Sequence, residues 1–304
     1  MAILRKKICY IVDNLDLKSG WGRLAYEIIE GVKKSGKYEV VVLSREKSGY
    51  PGEHVFIQSG LKGIIISSLL VRKFIRESDV VHAVDGWPYA VIAWLANFFY
   101  GRPIFITAVG TYSVLPFNNF FQGIILKHVY LRAKRILAIS NYTKNEILKR
   151  VKLDNVETVN LGVDFEKFNR AYVEPQDKEN ILLSVGEIKQ RKGYHVALEA
   201  FFKLKERFPD LKYVIAGGGN DSKSNYYSYL CEIIRKNRGQ DSVIFTGGIS
   251  EEKLLEFYRQ AKIFILPSIN SGGAFEGFGL VVLEAFSAGI PAIGTKPSGM
   301  EDII

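Results

Sequence analysis

The sequence has few cysteines and lacks apolar runs of membrane-spanning length. Its two cysteines, Cys9 and Cys231, each lie in an apolar or helical stretch and give no disulfide or metal-binding spacing, which favours a reducing compartment. The apolar runs Leu61–Val71 and Ala90–Tyr100 are too short to span a bilayer. A secretory signal is also lacking, because Lys7–Val12 is typical of a first strand. We therefore expect a soluble, cytoplasmic protein.

Negative charge is in the minority. The chain has 41 Lys and Arg against 32 Asp and Glu, a net charge of +9 at pH 7. Such an excess suits anionic lipid headgroups, nucleotide phosphates or nucleic acid, and charge alone does not choose among them. No RNA- or DNA-binding module is recognisable, so nucleic acid is not an expected partner. An apolar content of 47% excludes disorder, and 304 residues suffice for two domains.

Short apolar runs alternate with helical patterns along the chain, which predicts parallel sheets covered by helices. A polar segment, residues 173–180, separates a first α/β domain (residues 1–172) from a second (residues 181–304). The fold class is thus α/β, with two Rossmann-like domains. Their sheets would face a cleft, since ligands bind beyond the carboxyl ends of parallel strands. Predicted strands are Ile8–Val12, Glu39–Leu43, Val80–Val84, Ile104–Ala108, Ile136–Ile139, Val156–Asn160, Ile181–Val185, Tyr213–Ala216, Val243–Thr246, Ile263–Leu266 and Ala292–Gly294.

The stretch Ser271–Gly289 contains two carboxylates, Glu276 and Glu284, separated by seven residues. A glycine turn, Gly277–Gly279, lies between them and precedes the apolar run Leu280–Leu283. This pattern predicts a helix that opens at the turn, with one glutamate before it and one in its first turns. The alternative is a buried amphipathic helix with two solvated glutamates.

The start of this predicted helix suits an anion. Its first amides, those of Phe278, Gly279 and Leu280, have no partners within the helix, and the helix dipole is positive there. Glu284 could accept hydrogen bonds from a ribose diol, and Glu276 from the hydroxyls of a second sugar.

A basic loop follows the first predicted strand of the second domain. Within Val185–Gly193 it carries Lys189, Arg191 and Lys192 beside a glycine, which suits a diphosphate. The alternative is a solvated basic loop.

Two glycine-rich turns also follow predicted strands. Gly20 and Gly22 open the first helix, where a phosphate could approach the backbone, although the full dinucleotide fingerprint is not present. Ala216–Asn220 contains three successive glycines. Each could equally be a simple turn.

Taken together and in this order, the motifs resemble the retaining, nucleotide-sugar-dependent glycosyltransferases of family 4, which have the two-domain GT-B fold. The similar segments cover nearly the whole chain: Gly20/Gly22, Asp79–His82, Ile139–Lys144, Asn160–Asp164, Val185–Gly193, Ile215–Gly219, Val243–Gly247, Pro267-Ser268, Glu276…Glu284-Ala285 and Gly289–Pro291.

The resemblance implies a role for each matching residue. Glu276 and Lys192 would be catalytic, Glu276 facing the transferred sugar and Lys192 neutralising the departing diphosphate. The residues implied to bind the donor are Glu284, Arg191, Gly20, Gly22, Phe278, Gly279 and Leu280. No metal or other cofactor is implied, and Asp13–Asp16 is interpreted as a solvated turn.

The implied function is transfer of a sugar from a nucleoside-diphosphate sugar to a hydroxyl acceptor, in cell-surface polysaccharide or glycolipid synthesis. Two departures support an alternative, a catalytically impaired nucleotide-sugar-binding protein. Glu187 stands where the family often has a cation, and Val109 where it often has histidine. His82 and Asp85 are nearby polar candidates, although His82 is more typical of a packed strand residue. A phosphorylase or an epimerase on the same fold also stays open.

The end of the chain differs from the family pattern as well. It stops at Ile304, whereas family members usually continue through further elements, including a terminal helix. We therefore expect the second domain to be incomplete.

A basic stretch in the first domain suggests a second kind of partner. Residues 123–152 contain eight Lys and Arg against one acid, Glu146, and follow the aromatic segment Tyr112–Phe121. The hypothesis is that residues 112–152 dock on an anionic membrane at the inner face, where a lipid-linked acceptor emerges. The alternative is a packed helix with a solvated basic face.

Overall fold

The computed structural model describes residues 5–17, 19–58, 60–221 and 224–304. Contacts divide the chain into two compact units, the first extending to Val159 and the second from Asn160 to Ile304. Each unit has its own parallel sheet and its own core, and the two are described separately.

In its described residues the first unit has a seven-stranded parallel sheet in the order β3-β2-β1-β4-β5-β6-β7. The register pairs Lys6 with Tyr38 and Ile8 with Val80. The strands are β1 (Lys6–Val12), β2 (Tyr38–Ser44), β3 (Glu53–Val55), β4 (Val80–Val84), β5 (Ile104–Ala108), β6 (Arg135–Ala138) and β7 (Val156–Thr158). The helices are α1 (Gly20–Lys34), α2 (Gly60–Arg76), α3 (Val91–Ala96), α4 (Thr111–Val114), α5 (Phe120–Arg132) and α6 (Asn141–Leu148).

The second unit repeats this architecture with five parallel strands in the order β10-β9-β8-β11-β12, again among the described residues. Its strands are β8 (Ile181–Val185), β9 (Lys212–Ala216), β10 (Val243–Gly247), β11 (Ile263–Leu266) and β12 (Ala292–Gly294). Its helices are α7 (Phe165–Asn169), α8 (Tyr194–Lys205), α9 (Asn225–Lys236), α10 (Glu251–Gln260) and α11 (Leu280–Ser287).

Helices cover both faces of each sheet, which explains why the central strands are continuous apolar runs. Residues 8–12 of β1 are all buried, as are residues 181–184 of β8. In the second unit, one cluster of buried residues on Leu183 and Phe264 includes Val282 of α11, and another on Leu182 and Tyr213 includes Leu198 of α8. The predicted α/β class with two parallel-sheet domains is confirmed.

The division between the units differs from the boundary predicted at residues 172–173. Phe168 and Ala171 are buried in the same cluster as Phe264 and Val282, because α7 packs on α11. A helix that follows β7 in the sequence thus belongs by its contacts to the second unit. The predicted linker, residues 173–180, includes the short 3-10 turn Pro175–Asp177 and the buried Lys178.

Candidate functional site

The centre of the second sheet is where its strand order reverses. From β8 the chain continues to β9 on one side, whereas β11 lies against β8 on the other. In parallel α/β sheets, the loops at the carboxyl ends of two such strands diverge and leave a crevice that receives ligands. The loop after β8 carries Arg191 and Lys192, and the loop after β11 carries Ser268 and Glu276.

Three side chains from these two loops converge on one carboxylate oxygen of Glu276. Glu276 Oε2 accepts hydrogen bonds from Lys192 Nζ at 2.6 Å, Arg191 Nη1 at 2.9 Å and Ser268 Oγ at 3.2 Å. The structure thus brings together three of the predicted site residues, and we name Arg191, Lys192 and Glu276 the charge cluster. Ser268 was not singled out from the sequence, although it lies in the Pro267-Ser268 pair that contributed to the family resemblance.

The charge cluster is largely withdrawn from water. Glu276 is 9% exposed and Lys192 8%. Burial alone would raise the pKa of Glu276, but the positive charges of Lys192 and Arg191 outweigh it and lower that pKa to about 2. Burial also lowers the pKa of Lys192, against the attraction of Glu276. Arg191 is only half-buried, so the cluster has one side accessible from solvent.

The predicted glycine turn does open the helix that follows. Gly279 is the N-cap of α11 with φ +93°, and a Cβ atom there would lie 2.9 Å from Met300 Cγ, so both backbone angle and space require glycine. Within the described residues, no side chain caps this helix start. The predicted anion-binding amides, those of Phe278, Gly279 and Leu280, therefore lie at the start of α11, only a few residues beyond Glu276.

The second carboxylate of the motif lies inside α11. Glu284 is 3% exposed, and its Oε2 accepts a hydrogen bond of 2.8 Å from the hydroxyl of Tyr258 on α10. Neither glutamate is a solvated side chain, which disagrees with the alternative interpretation of this stretch. Sequence reasoning did not identify Tyr258, because nothing local indicates that α10 and α11 share this hydrogen bond. Binding of ribose by Glu284 stays a prediction.

In the first unit, Gly20 and Gly22 begin α1 as predicted, but the two glycines have different surroundings from each other. A Cβ at Gly22 would lie 2.1 Å from Asn14 Oδ1, and the Gly22 amide donates to Ser19 Oγ at 2.9 Å. A Cβ at Gly20 would have no atom within 4 Å. Gly22 is thus required by packing inside the chain, whereas Gly20 lies in open space, and phosphate contact by either stays a prediction.

The departures from the family pattern have local explanations. Glu187 pairs with Lys189, whose Nζ lies 2.8 Å from Glu187 Oε2, so its negative charge is matched within its own loop. Val109 packs against the buried cluster around β1. His82 lies on β4, hydrogen-bonds Thr107 at 2.8 Å and stacks on the Tyr10 ring, as expected of a packed strand residue, and burial lowers its pKa to about 4.

Two aspartates occupy the corresponding point of the first sheet, beyond β1 and β4. The interpretation of Asp13 as a solvated turn residue is wrong, because its side chain is buried. Arg45 Nε donates a hydrogen bond to it at 2.6 Å, and the Tyr89 hydroxyl donates another. Asp85 is buried with φ +93°, an unusual angle for a residue with a side chain. Burial, aided by the charge of Asp13, raises the pKa of Asp85 to about 7. No cluster of His, Cys, Asp or Glu suited to a metal ion occurs among the described residues.

The stretch predicted to dock on a membrane, residues 112–152, folds into α4, α5, β6 and α6. Phe120 and Phe121 are exposed at the start of α5. Lys149 and Arg150 both pair with Glu146, which offsets part of the positive charge. Membrane binding by this stretch stays a prediction. Among the described residues, no helix combines the length and apolar character needed to cross a bilayer.

Family comparisons cover both units. The model described as "Glycosyltransferase Family 4" matches residues 18–167, and the model described as "Glycosyl transferases group 1" matches residues 165–304. Each model thus matches a little under half of the chain, and together they extend over residues 18–304. The charge cluster, α11 and Glu284 all lie in the region that matches the group 1 model, called the group 1 domain below, whereas Gly20 and Gly22 lie in the region that matches the family 4 model.

Curated relatives carry similar names. An uncharacterized glycosyltransferase of Methanocaldococcus jannaschii is 32% identical over 140 residues, which are 46% of this chain and 33% of the relative. Glycogen synthase of Mycobacterium tuberculosis is 27% identical over 260 residues, 83% of this chain and 59% of the relative. An amylovoran biosynthesis glycosyltransferase of Erwinia amylovora is 25% identical over 178 residues, 58% and 42% of the two chains. The chain thus spans from one third to about three fifths of the length of these relatives.

Solved structures of low sequence identity share the fold. HepE of Anabaena, crystallised with UDP and glucose, has a TM-score of 0.81 at 16% identity and covers 99% of this chain and 83% of its own. A glycosyltransferase of Rickettsia africae has a TM-score of 0.79 at 22% identity, with 99% and 82% covered. The predicted GT-B fold is confirmed by these likenesses.

Proposed function

We propose that this protein is a retaining glycosyltransferase, which moves a sugar from a nucleoside-diphosphate sugar to a hydroxyl group of an acceptor. The observation that carries the proposal is the charge cluster at the strand-order reversal of the group 1 domain, where Lys192 and Arg191 meet Glu276 directly before α11.

The charge of the cluster favours a diphosphate. Two cations face one carboxylate, so an excess of one positive charge, partly withdrawn from water, is available to an anionic ligand. Buried charge is costly unless it is paired, and a diphosphate would complete the pairing. The dipole and the amides at the start of α11, near Phe278–Leu280, favour negative charge from the other side.

The same arrangement stabilises a departing diphosphate. In the proposed reaction the bond between the anomeric carbon and the diphosphate oxygen breaks, the acceptor oxygen bonds to that carbon, and the acceptor proton passes to the diphosphate. Lys192 and Arg191 then meet charge that develops in the transition state. Glu276 is held by both cations, with its pKa at about 2, which makes it a poor covalent nucleophile and suits attack by the acceptor from the face that the diphosphate leaves.

The remaining predicted contacts extend this proposal. Glu276 would face hydroxyls of the transferred sugar through its second carboxylate oxygen, and Glu284 would hold the ribose. No metal or other cofactor is proposed, since the two cations supply the positive charge. A cytoplasmic reaction in polysaccharide or glycolipid synthesis is supported by the low cysteine content and by the name of the Erwinia relative.

The binding half of the proposal is tested by thermal shift with nucleoside diphosphates and their sugars. We expect at least one to raise the melting temperature of the protein, and Glu284→Ala to abolish that rise relative to its own unliganded baseline. Glu206→Ala, which removes an exposed glutamate of the same unit, is the matched control and should retain it. An undiminished rise in Glu284→Ala would contradict the ribose assignment.

A second candidate, a nucleotide-sugar-binding protein without turnover, is favoured by two departures from the family pattern, Val109 in the position of the histidine and Glu187 in the position of the cation. The pairing of Glu187 with Lys189 weakens the second of these. Incubation with the donor identified by thermal shift distinguishes the two. Release of free nucleoside diphosphate, by transfer or by slow hydrolysis, supports the enzyme, and binding without any release supports the alternative.

A further inference from the structure

Helix α2 of the first unit is apolar on both of its sides. One side is packed into the unit through buried residues such as Ile64, Val71 and Ile75. The opposite side presents Leu61, 66% exposed, together with Ile65, Ile66, Leu69 and Leu70, which are also exposed. A surface helix ordinarily carries polar residues on its outer side. This outer side is therefore an unpartnered apolar stripe along a helix about 25 Å long.

The end of α3 extends this stripe. Phe98 and Phe99 are exposed, the latter by 71%, and the guanidinium of Arg72 on α2 lies 4.9 Å from the centre of the Phe99 ring. We call the outer side of α2 together with Phe98 and Phe99 the apolar face. Exposed apolar surface of this extent, concentrated in one place, marks an interaction site.

The charged residues of α2 itself are all positive. Helix α2 contains no acidic residue in its 17 positions, and its cations Lys62 and Lys73 are exposed. Arg72 lies against Phe99 at the edge of the face. Arg76 is the cation of this helix with a nearby acid, Glu77 at 3.6 Å. An apolar stripe bordered by lysine and arginine complements the acyl chains and anionic headgroups at a bilayer surface.

We propose that the apolar face docks the protein on an anionic lipid bilayer, with α2 lying along the surface and its outer residues inserted among the lipids. The helix is held by its inner side in the first unit, so it contacts the bilayer lengthwise. The charges argue against a second copy of this chain, because a two-fold interface on this face would bring two borders of the same sign together.

This surface is distinct from the stretch that was predicted to dock from the sequence. That stretch contributes the exposed Phe120 and Phe121 of α5. Helix α3 connects the two regions, since it packs on α2 and its Trp94 ring lies 4.8 Å from the His128 ring of α5. Helix α5 could add to docking, but the apolar face has the longer row of exposed aliphatic side chains.

Vesicle flotation of the full chain tests the proposal. Phosphatidylglycerol–phosphatidylcholine vesicles are the probe, with pure phosphatidylcholine for comparison. We expect binding to anionic vesicles, and a fall of at least about tenfold in the partition coefficient for Ile65→Glu/Leu69→Glu, because two inserted apolar side chains become charged. Lys62→Glu/Lys73→Glu should lose the preference for anionic lipid. Phe208→Glu, at an exposed apolar position of the second unit, is the matched control and should bind as the wild type does.

Three outcomes would overturn the proposal. One is unchanged flotation of Ile65→Glu/Leu69→Glu. Another is loss of flotation on Phe120→Ser/Phe121→Ser but not on substitution in the apolar face, which would return docking to α5. The third is a wild type that ignores vesicles and sediments as a dimer, with monomers formed by the α2 variant. A variant that does not fold, judged by its melting curve, is replaced by Phe98→Ser/Phe99→Ser, which tests the same face from α3.

Discussion

Replacement of Glu276 by alanine is expected to destabilise the protein by about 3–5 kcal/mol, the usual cost of leaving a buried charge without its partner. The variant leaves the buried ammonium group of Lys192 and the Arg191 guanidinium without the carboxylate that both contact. Urea unfolding, monitored by circular dichroism, measures the change. Glu187→Ala is the matched control, since it breaks the exposed pair with Lys189 and should change stability by less than about 1 kcal/mol.

A double variant separates charge from packing. In Glu276→Ala/Lys192→Met no unpaired ammonium is left, so much of the lost stability should return although the site is destroyed. If the double variant is as unstable as the sum of the two single changes, the pairing does not account for the stability of this loop.

The stabilisation of the folded protein by Glu276 should depend on pH in a defined way. The pKa of Glu276 is lowered in the folded protein from an ordinary value of 4.5 to about 2. Its contribution to stability is therefore complete above about pH 4.5 and is lost as the pH falls through about 2. The difference in unfolding free energy between wild type and Glu276→Ala should narrow across that window. A difference that stays constant down to pH 2 would contradict the assigned pairing.

Substitution of Lys192 by alanine is expected to lower the rate of sugar transfer by about 10²–10³-fold, the cost of removing one group that stabilises charge developing in a transition state. The loss should fall mainly on kcat, because Arg191 still attracts the donor. Initial rates with the donor found by thermal shift measure it. Lys192→Arg should recover part of the rate, since it keeps the charge but not the compact shape.

Lys189→Ala is the control for this variant. Lys189 lies in the same loop, is exposed and pairs with Glu187 rather than with Glu276. Removing it should change the rate by only about two- to threefold, as expected of a distant, solvent-screened charge. Equal losses for Lys189→Ala and Lys192→Ala would mean that the loop acts through its net charge and not through contact at the reaction centre.

Much of the fold could be predicted because its signals are local. The strands Val80–Val84, Ile104–Ala108, Ile181–Val185, Ile263–Leu266 and Ala292–Gly294 were predicted with the bounds that the structure has. Each of these strands is a short, mostly apolar run, which a sequence displays directly, and this holds even for the edge strand β12, none of whose residues is buried. β3 is a three-residue edge strand with no buried residue and was not predicted.

At the site, the positions of residues within one stretch could be predicted from the sequence, whereas contacts between distant residues could not. The positions of Glu276, Gly279 and Glu284 around a helix start follow from their spacing along one stretch. The contact between Lys192 and Glu276 joins residues 84 positions apart, and that between Tyr258 and Glu284 joins two separate helices. No local pattern encodes such contacts. The first arises from the order of the strands, which places the loops after β8 and β11 side by side, and the second from the packing of α10 and α11 into one core cluster.

The exposed side of α2 shows the same limit. In the sequence, Leu61–Val71 is an apolar run too short for a membrane span, and a buried helix would be the ordinary expectation. Which of its residues face outward depends on how the helix packs. Only the structure distinguishes the buried Ile64 from the exposed Ile65.

The central claim is that the charge cluster of the group 1 domain receives the diphosphate of a sugar nucleotide. A crystal structure of the protein with the nucleoside diphosphate selected by thermal shift tests it most directly. We predict phosphate oxygens at hydrogen-bond distance, about 2.7–3.2 Å, from Lys192 Nζ and the Arg191 guanidinium, with the ribose at Glu284. A nucleotide bound elsewhere, with both cations still engaged only by Glu276, would contradict the account.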